Sequence, residues 1–287
     1  MTKIYQIGGH CFCISGERLC QAVEKIDGFK PFEVNNGDVV FSIVESSEFP
    51  TMESIQYEFE YENVVGKFGK THEGWMLSLT PAKERALYMW HIEGEHSIQI
   101  YGNLSTRLYR FALWVGFGLM VLPFHTVAIH SSCIIYQNQA VLFLGESGTG
   151  KSTHTRLWGE HIEGAILLND DSPILRVEEG KIWAYGSPWS GKTPCYKQEK
   201  YELKGCVRLS QAKMNQMKRL SILEAYGAIH PSCPPEFAYD DTLYDHISHF
   251  IDQLLSITPF FHLACLPNKE AAFLSCKTLF KDETDSE

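Results

Sequence analysis

Ala140-Val141-Leu142-Phe143-Leu144 runs straight into Gly145-Glu146-Ser147-Gly148-Thr149-Gly150-Lys151-Ser152, and this junction decides the fold. Five consecutive apolar residues ahead of a glycine-rich turn predict a buried strand, and the sequence after Gly150 predicts a helix to about Gly159. The eight residues from Gly145 match G-x-x-x-x-G-K-[ST], the Walker A pattern of a phosphate-binding P-loop. Glycines let the backbone curl so that successive N–H groups point inward at phosphate oxygens, and the following helix offers its positive end to the same anion. Lys151 is then expected to reach the β- and γ-phosphates, and Ser152 to supply a hydroxyl for Mg²⁺. Thr153, on the first helical turn, completes the expected nucleotide-binding set.

Working outward, Ala165-Ile166-Leu167-Leu168 reads as a short strand, and Asn169-Asp170-Asp171 follows it. A carboxylate at a strand's C-terminal edge can hold Mg²⁺, and one beside a substrate hydroxyl can accept its proton. Two adjacent acids permit both jobs, while a plain turn before Pro173 is the simpler alternative. His130 lies on a strand expected over Val127–Tyr136; a lone strand histidine is usually structural. The segment Tyr185-Gly186-Ser187-Pro188-Trp189-Ser190-Gly191-Lys192 brings glycines, hydroxyls and Lys192 together, as an ordinary turn or as a loop that closes on phosphates.

The remainder bounds the function. The chain has 287 residues, 44% of them hydrophobic, enough for one large domain or two ordinary ones. A formal charge of −10 with no Lys/Arg cluster argues against nucleic acid as a partner. Nine scattered cysteines and a start without an apolar signal region predict a reduced, cytoplasmic protein, with Cys11-x-Cys13 too tightly spaced for a zinc knuckle. The apolar run Phe111–Phe124 is interrupted by Gly116 and Gly118 and reads as a core helix, with no membrane span expected.

Residues 1–103 read as a smaller β-rich N-terminal domain, with strands at Lys3–Ile7, Val39–Val44, Ile55–Tyr61, Trp75–Leu79 and His96–Tyr101. Residues 104–125 read as a linking helix that is buried or bridges two domains, and 126–287 as a mixed α/β domain. Within the latter, strands are expected near Ile174–Val177, Ile182–Tyr185 and Phe260–Leu266. Ser221-Ile222-Leu223-Glu224 has capping-box spacing before a helix to about Ile229, Asp241–Leu255 has helical periodicity, and Asn268 is positioned to cap a final helix.

Together, Gly145–Ser152, His130 upstream and Asp170-Asp171 downstream resemble the catalytic domain of HPr kinase/phosphorylase, of the same structural class as phosphoenolpyruvate carboxykinases. The resemblance covers about Thr126–Trp189. It implies a Mg²⁺-dependent kinase in which Lys151 and Ser152 take phosphates and metal, Asp171 is the general base, Asp170 the metal or water ligand, and His130 an active-site residue. The donor would be ATP or a related nucleotide or phosphate donor, and the acceptor a hydroxyl, most plausibly serine, on a small protein, peptide or small molecule. A homo-oligomer is implied by the same analogy. The family's downstream Glu-x-Arg-Gly-type signature is not recognised, and the Ser187–Lys192 loop is more similar to HPr-kinase-like proteins of unassigned substrate. A nucleotide sensor without turnover and a carboxykinase-like lyase are the two alternatives.

Overall fold

The structure is a computed structural model and describes residues 1–191 and 193–281. It is a mixed α/β protein with two sheets, dividing into a unit of residues 1–124 with Pro235–Ile247 and a unit of 125–234 with 248–287.

The first, smaller unit holds β1 (Thr2–Ile7), β2 (His10–Ser15), α1 (Glu17–Val23), β3 (Glu33–Val34), β4 (Val39–Glu45), β5 (Ser54–Tyr61), β6 (Val64–Lys70), β7 (Gly74–Pro81), β8 (Leu87–Ile92), β9 (Ser97–Gly102) and α2 (Thr106–Val121). One sheet runs in the order β3-β1-β2-β4-β9-β8-β7-β6-β5. Its hairpins use two-residue turns with both residues at positive φ, at Gly8-Gly9 and at Glu62-Asn63, the twist that matches right-handed strand pairs. Helix α2 supplies much of the core: Phe117 meets Phe12, which stacks on Phe41 at 5.0 Å between ring centroids. With the turn to Phe124 this helix is long and apolar enough to cross a membrane, yet two-thirds of that window is buried inside the protein, as a core helix requires.

The second unit holds β10 (Thr126–Ala128), β11 (Ser131–Tyr136), β12 (Gln139–Leu144), α3 (Lys151–His161), β13 (Ile166–Asp171), β14 (Ile174–Glu178), β15 (Lys181–Tyr185), β16 (Lys200–Gln211), β17 (Gln216–Arg219), α4 (Ile222–Ile229), most of α5 (Asp241–Ile257), β18 (Phe260–Cys265) and α6 (Lys269–Leu279). The sheet order is β10-β14-β15-β16-β12-β11-β13, with β18 beside β16 and β17 beside β18. Strand β12 is parallel to β16 and β16 to β18, while β11 is antiparallel to both β12 and β13. The C-terminal ends of β12, β13, β16 and β18 therefore share one edge with the start of β11. On one face of this sheet Phe143, Val207, Leu209 and Leu263 pack with Leu157, Trp158, Ala272 and Leu279 from α3 and α6. Fully buried Trp158 donates its indole N–H to Ser275 Oγ at 2.9 Å, which satisfies its polar atom inside the core.

Several sequence expectations change. The strand expected over Val127–Tyr136 is two strands, and His130 lies in the break between them, where its backbone N–H bonds Ser232 O at 2.8 Å. Strands β2, β3, β6, β8, β16 and β17 and helix α1 are not among the elements expected from the sequence. Helix α2 and the segment Pro235–Ile247 both belong to the first unit, because Phe237 packs on Phe68 at 5.8 Å and beside Gly118.

Candidate active site

The turn after β12 is set by its glycines. Gly145, Gly148 and Gly150 have φ of 149°, 83° and 105°, a region that side-chain-bearing residues rarely adopt, and a Cβ on Gly145 would lie 2.5 Å from Thr149 Oγ1. Thr149 closes the turn through its N–H and its hydroxyl, both bonded to Glu146 O at 3.2 and 2.8 Å. Gly150 then caps α3 in the left-handed conformation, without a side-chain cap. The first-turn N–H groups of Lys151, Ser152 and Thr153 are the ones an α-helix cannot satisfy internally. Helix α3 has no acidic residue of its own in its first turn.

Lys151 is buried and turns its ammonium back into the loop, donating to Gly145 O at 2.7 Å and Glu146 O at 3.3 Å. Burial pulls its pKa below the ordinary lysine value, opposed by the carboxylates of Asp171 and Asp170. One residue on, Ser152 Oγ donates to Asp170 Oδ1 at 3.0 Å, and Ser132 Oγ donates to the same oxygen. Asp170 is 4% exposed, and its backbone carbonyl accepts from Ser190 Oγ and Gly191 N–H. Ser152 and Asp170 thus place a hydroxyl and a carboxylate together, a donor set that suits Mg²⁺, which takes one or two protein oxygens and leaves its other positions to water and phosphate. Among the described residues no group of three or more His, Cys, Asp or Glu side chains gathers to hold a metal by itself.

Asp171 ends β13 with φ at 134°, a strained value for a non-glycine residue. Its carboxylate lies 3.8 Å from His130 Nε2, both side chains about half exposed. Partial burial, then the Lys151 ammonium, lower the His130 pKa, and Asp171 acts the other way. His130 is therefore mostly neutral at neutral pH, in the form that accepts a proton.

The segment after β15 supports the acids. Asn169 Nδ2 donates to Ser187 O and Oγ, both at 3.2 Å, Asn169 Oδ1 accepts from Ser172 N–H at 2.9 Å, and Asp171 bridges Ser190. Lys192 lies outside the described residues. Ser147 and Glu146 are exposed and Thr153 half-buried at the same edge. The structure adds two residues that the sequence did not single out: Arg208, whose Nη2 is 3.6 Å from Glu146 Oε1, and Gln211, whose Nε2 donates to Gly148 O at 3.3 Å. Both sit on β16, at the same sheet edge as the glycine turn.

No protein-family model matches the chain, and no curated protein sequence does. The chain is similar to a solved structure described as "Structure of the Hpr(Ser) kinase/phosphatase from Coxiella burnetii", at 13% identity and a TM-score of 0.30, over 53% of this chain and 92% of that one. Likeness at that level bears on neither activity nor substrate.

Proposed function

We propose that this protein is a Mg²⁺-dependent phosphotransferase that binds a nucleoside triphosphate at Gly145–Thr153 and passes its terminal phosphoryl group to a hydroxyl. The acceptor would be a serine of a small protein or peptide, or a small molecule. One observation carries the reading. The lysine and serine that begin α3 converge with Asp170 and Asp171 at the edge where the C-terminal ends of the parallel strands meet, the place where open α/β sheets bind ligands.

The backbone N–H groups of the turn and the Lys151 ammonium would hold the phosphates and offset their charge, so that positioning and electrostatics supply most of the rate. Ser152 and Asp170 would hold the metal, whose contribution is to neutralise charge on the phosphate oxygens. The acceptor oxygen forms its bond to the terminal phosphorus as the bridging oxygen's bond to it breaks. The hydroxyl proton passes to the Asp171 carboxylate, with His130 beside it to share the charge, and the nucleoside diphosphate leaves.

Calorimetry with Mg-ATP, together with transfer of labelled phosphate to free serine, small proteins and cell lysate, tests this. The wild type is expected to bind and transfer, and Lys151→Ala to lose binding. Asp171→Asn should lose about 10²- to 10⁴-fold in transfer while keeping nucleotide affinity. Absence of any nucleoside di- or triphosphate binding by the wild type would end the proposal.

A further inference from the structure

Strand β16 lies against β12 in parallel register, and Arg208 is the partner of Leu144, the last strand residue before the glycine turn. Neighbouring strands are about 4.8 Å apart, so the base of the Arg208 side chain stands one strand away from the start of the turn. Its guanidinium does not leave the site. Nη1 donates to Ala228 O at 3.4 Å, at the end of α4, and Nη2 faces Glu146 Oε1 at 3.6 Å. The two partners differ in exposure: the Arg208 side chain is 29% exposed and that of Glu146 81%. One guanidinium nitrogen is thus fixed by a backbone carbonyl, and the other faces a carboxylate standing in solvent. Gln211, further along the same strand, ties the middle of the turn at Gly148 O.

An ion pair at 3.6 Å with a carboxylate in water contributes little and is easily exchanged. A guanidinium carries five N–H donors in a planar fork and binds phosphate oxygens in pairs, a far stronger contact. We infer that Arg208 is a second cationic contact for the polyphosphate, and that Glu146 occupies its guanidinium until that ligand displaces the carboxylate. This rests on the nucleotide site proposed above and adds a specificity-determining residue to it. Glu146 then acts as a competing anion: it holds the arginine at the turn and, by repelling phosphate, sets the affinity below what the cations alone would give.

Calorimetry with Mg-ATP and with magnesium pyrophosphate on the wild type, Arg208→Gln, Arg208→Lys, Glu146→Gln and Lys151→Ala tests the inference, with the melting temperature of each variant recorded. Arg208→Gln is expected to raise Kd about 10- to 100-fold for both ligands, and Arg208→Lys to recover part of that loss. Glu146→Gln should lower Kd about 3-fold, an opposite change that damage to the fold would not produce. A folded Arg208→Gln variant with wild-type Kd overturns the inference. Should that variant fail to fold, an unchanged Kd in Glu146→Gln overturns it equally. If the wild type binds and Lys151→Ala does not while both the Arg208 and Glu146 variants match the wild type, this inference alone falls. If the wild type binds neither ligand, the nucleotide site falls with it.

Discussion

His130 and Lys151 read each other's charge, and that coupling can be measured without knowing the acceptor. Burial and the ammonium lower the histidine's pKa, and the carboxylate of Asp171 raises it. An NMR titration of the imidazole should place it below the ordinary value near 6.5 in the wild type. Removing the ammonium by Lys151→Ala should move it up, and neutralising the carboxylate by Asp171→Asn should move it further down. A titration unchanged in both variants would mean that the two groups do not share a site. By its own neighbours His130 reads as a histidine on an apolar strand, and only the family resemblance marks it as an active-site residue, because nothing beside it shows that the strand stops at Ala128 and restarts at Ser131. Arg208 was invisible for a related reason. A single basic residue inside Cys206-Val207-Arg208-Leu209 forms no local pattern, and its significance comes from lying beside Leu144 across a parallel pair.

Between β12 and α3, the turn depends on Gly145 more than on its other glycines. A Cβ there meets Thr149 at 2.5 Å and would sit at φ 149°, whereas Gly148 and Gly150 have open space around them. Gly145→Ala is expected to push Thr149 off Glu146 O and weaken Mg-ATP binding by at least about 10-fold, with only a small change in melting temperature because residues 146–148, the part of the turn that must shift, stand exposed. Calorimetry beside a thermal melt checks it, and unchanged affinity would show that the turn does not set the phosphate contacts. Elements with a local chemical signature were legible in advance. Ser221 and Glu224 form the expected reciprocal cap, and Asn268 accepts from Ala271 N–H at the start of α6. Elements defined by partners were not. Strand β6 follows Glu62-Asn63, a hairpin turn with no glycine to announce it, and β16 interleaves Lys200, Glu202, Lys204 and Arg208 with apolar residues in a way that resembles a solvated loop. The acids at the end of β13 were legible because an apolar run led into them; Ser132, which donates to Asp170, was not, since it reaches that carboxylate only across the β11–β13 pair.

Taken over the molecule, two buried groups respond to acid in opposite ways. In the first unit Glu236 is 3% exposed, its Oε2 has no hydrogen-bond partner among the described residues, and burial pushes its pKa up to about 7. A carboxyl with a raised folded pKa contributes its stability below about pH 4.5 and loses it as pH climbs through 7, where the charge must be carried inside the protein. In the second unit burial pushes His154, 3% exposed and bonded to Trp158 and Ser275, down to about 4. Its stabilising neutral state is intact above about pH 6.5 and is lost as pH falls toward 4. The two contributions have opposite slopes between about pH 4.5 and 6.5 and largely cancel, so each is read by replacing one group. Glu236→Gln should raise the urea midpoint at pH 8, by up to about 3 kcal/mol of unfolding free energy, and leave it nearly unchanged at pH 4. Equal effects at both values would show that the carboxyl is not held neutral.

The first unit is also discontinuous in the chain, since Pro235–Ile247 completes it. Phe237, fully buried against Phe68 and Gly118, comes in the chain after residues 125–234 of the second unit. Until Pro235–Ile247 joins it, the sheet of the first unit is left with an open apolar slot beside Phe68 and Gly118. A chain interrupted before Phe237 should therefore expose that slot to water, and aggregation is expected of it rather than of the finished fold.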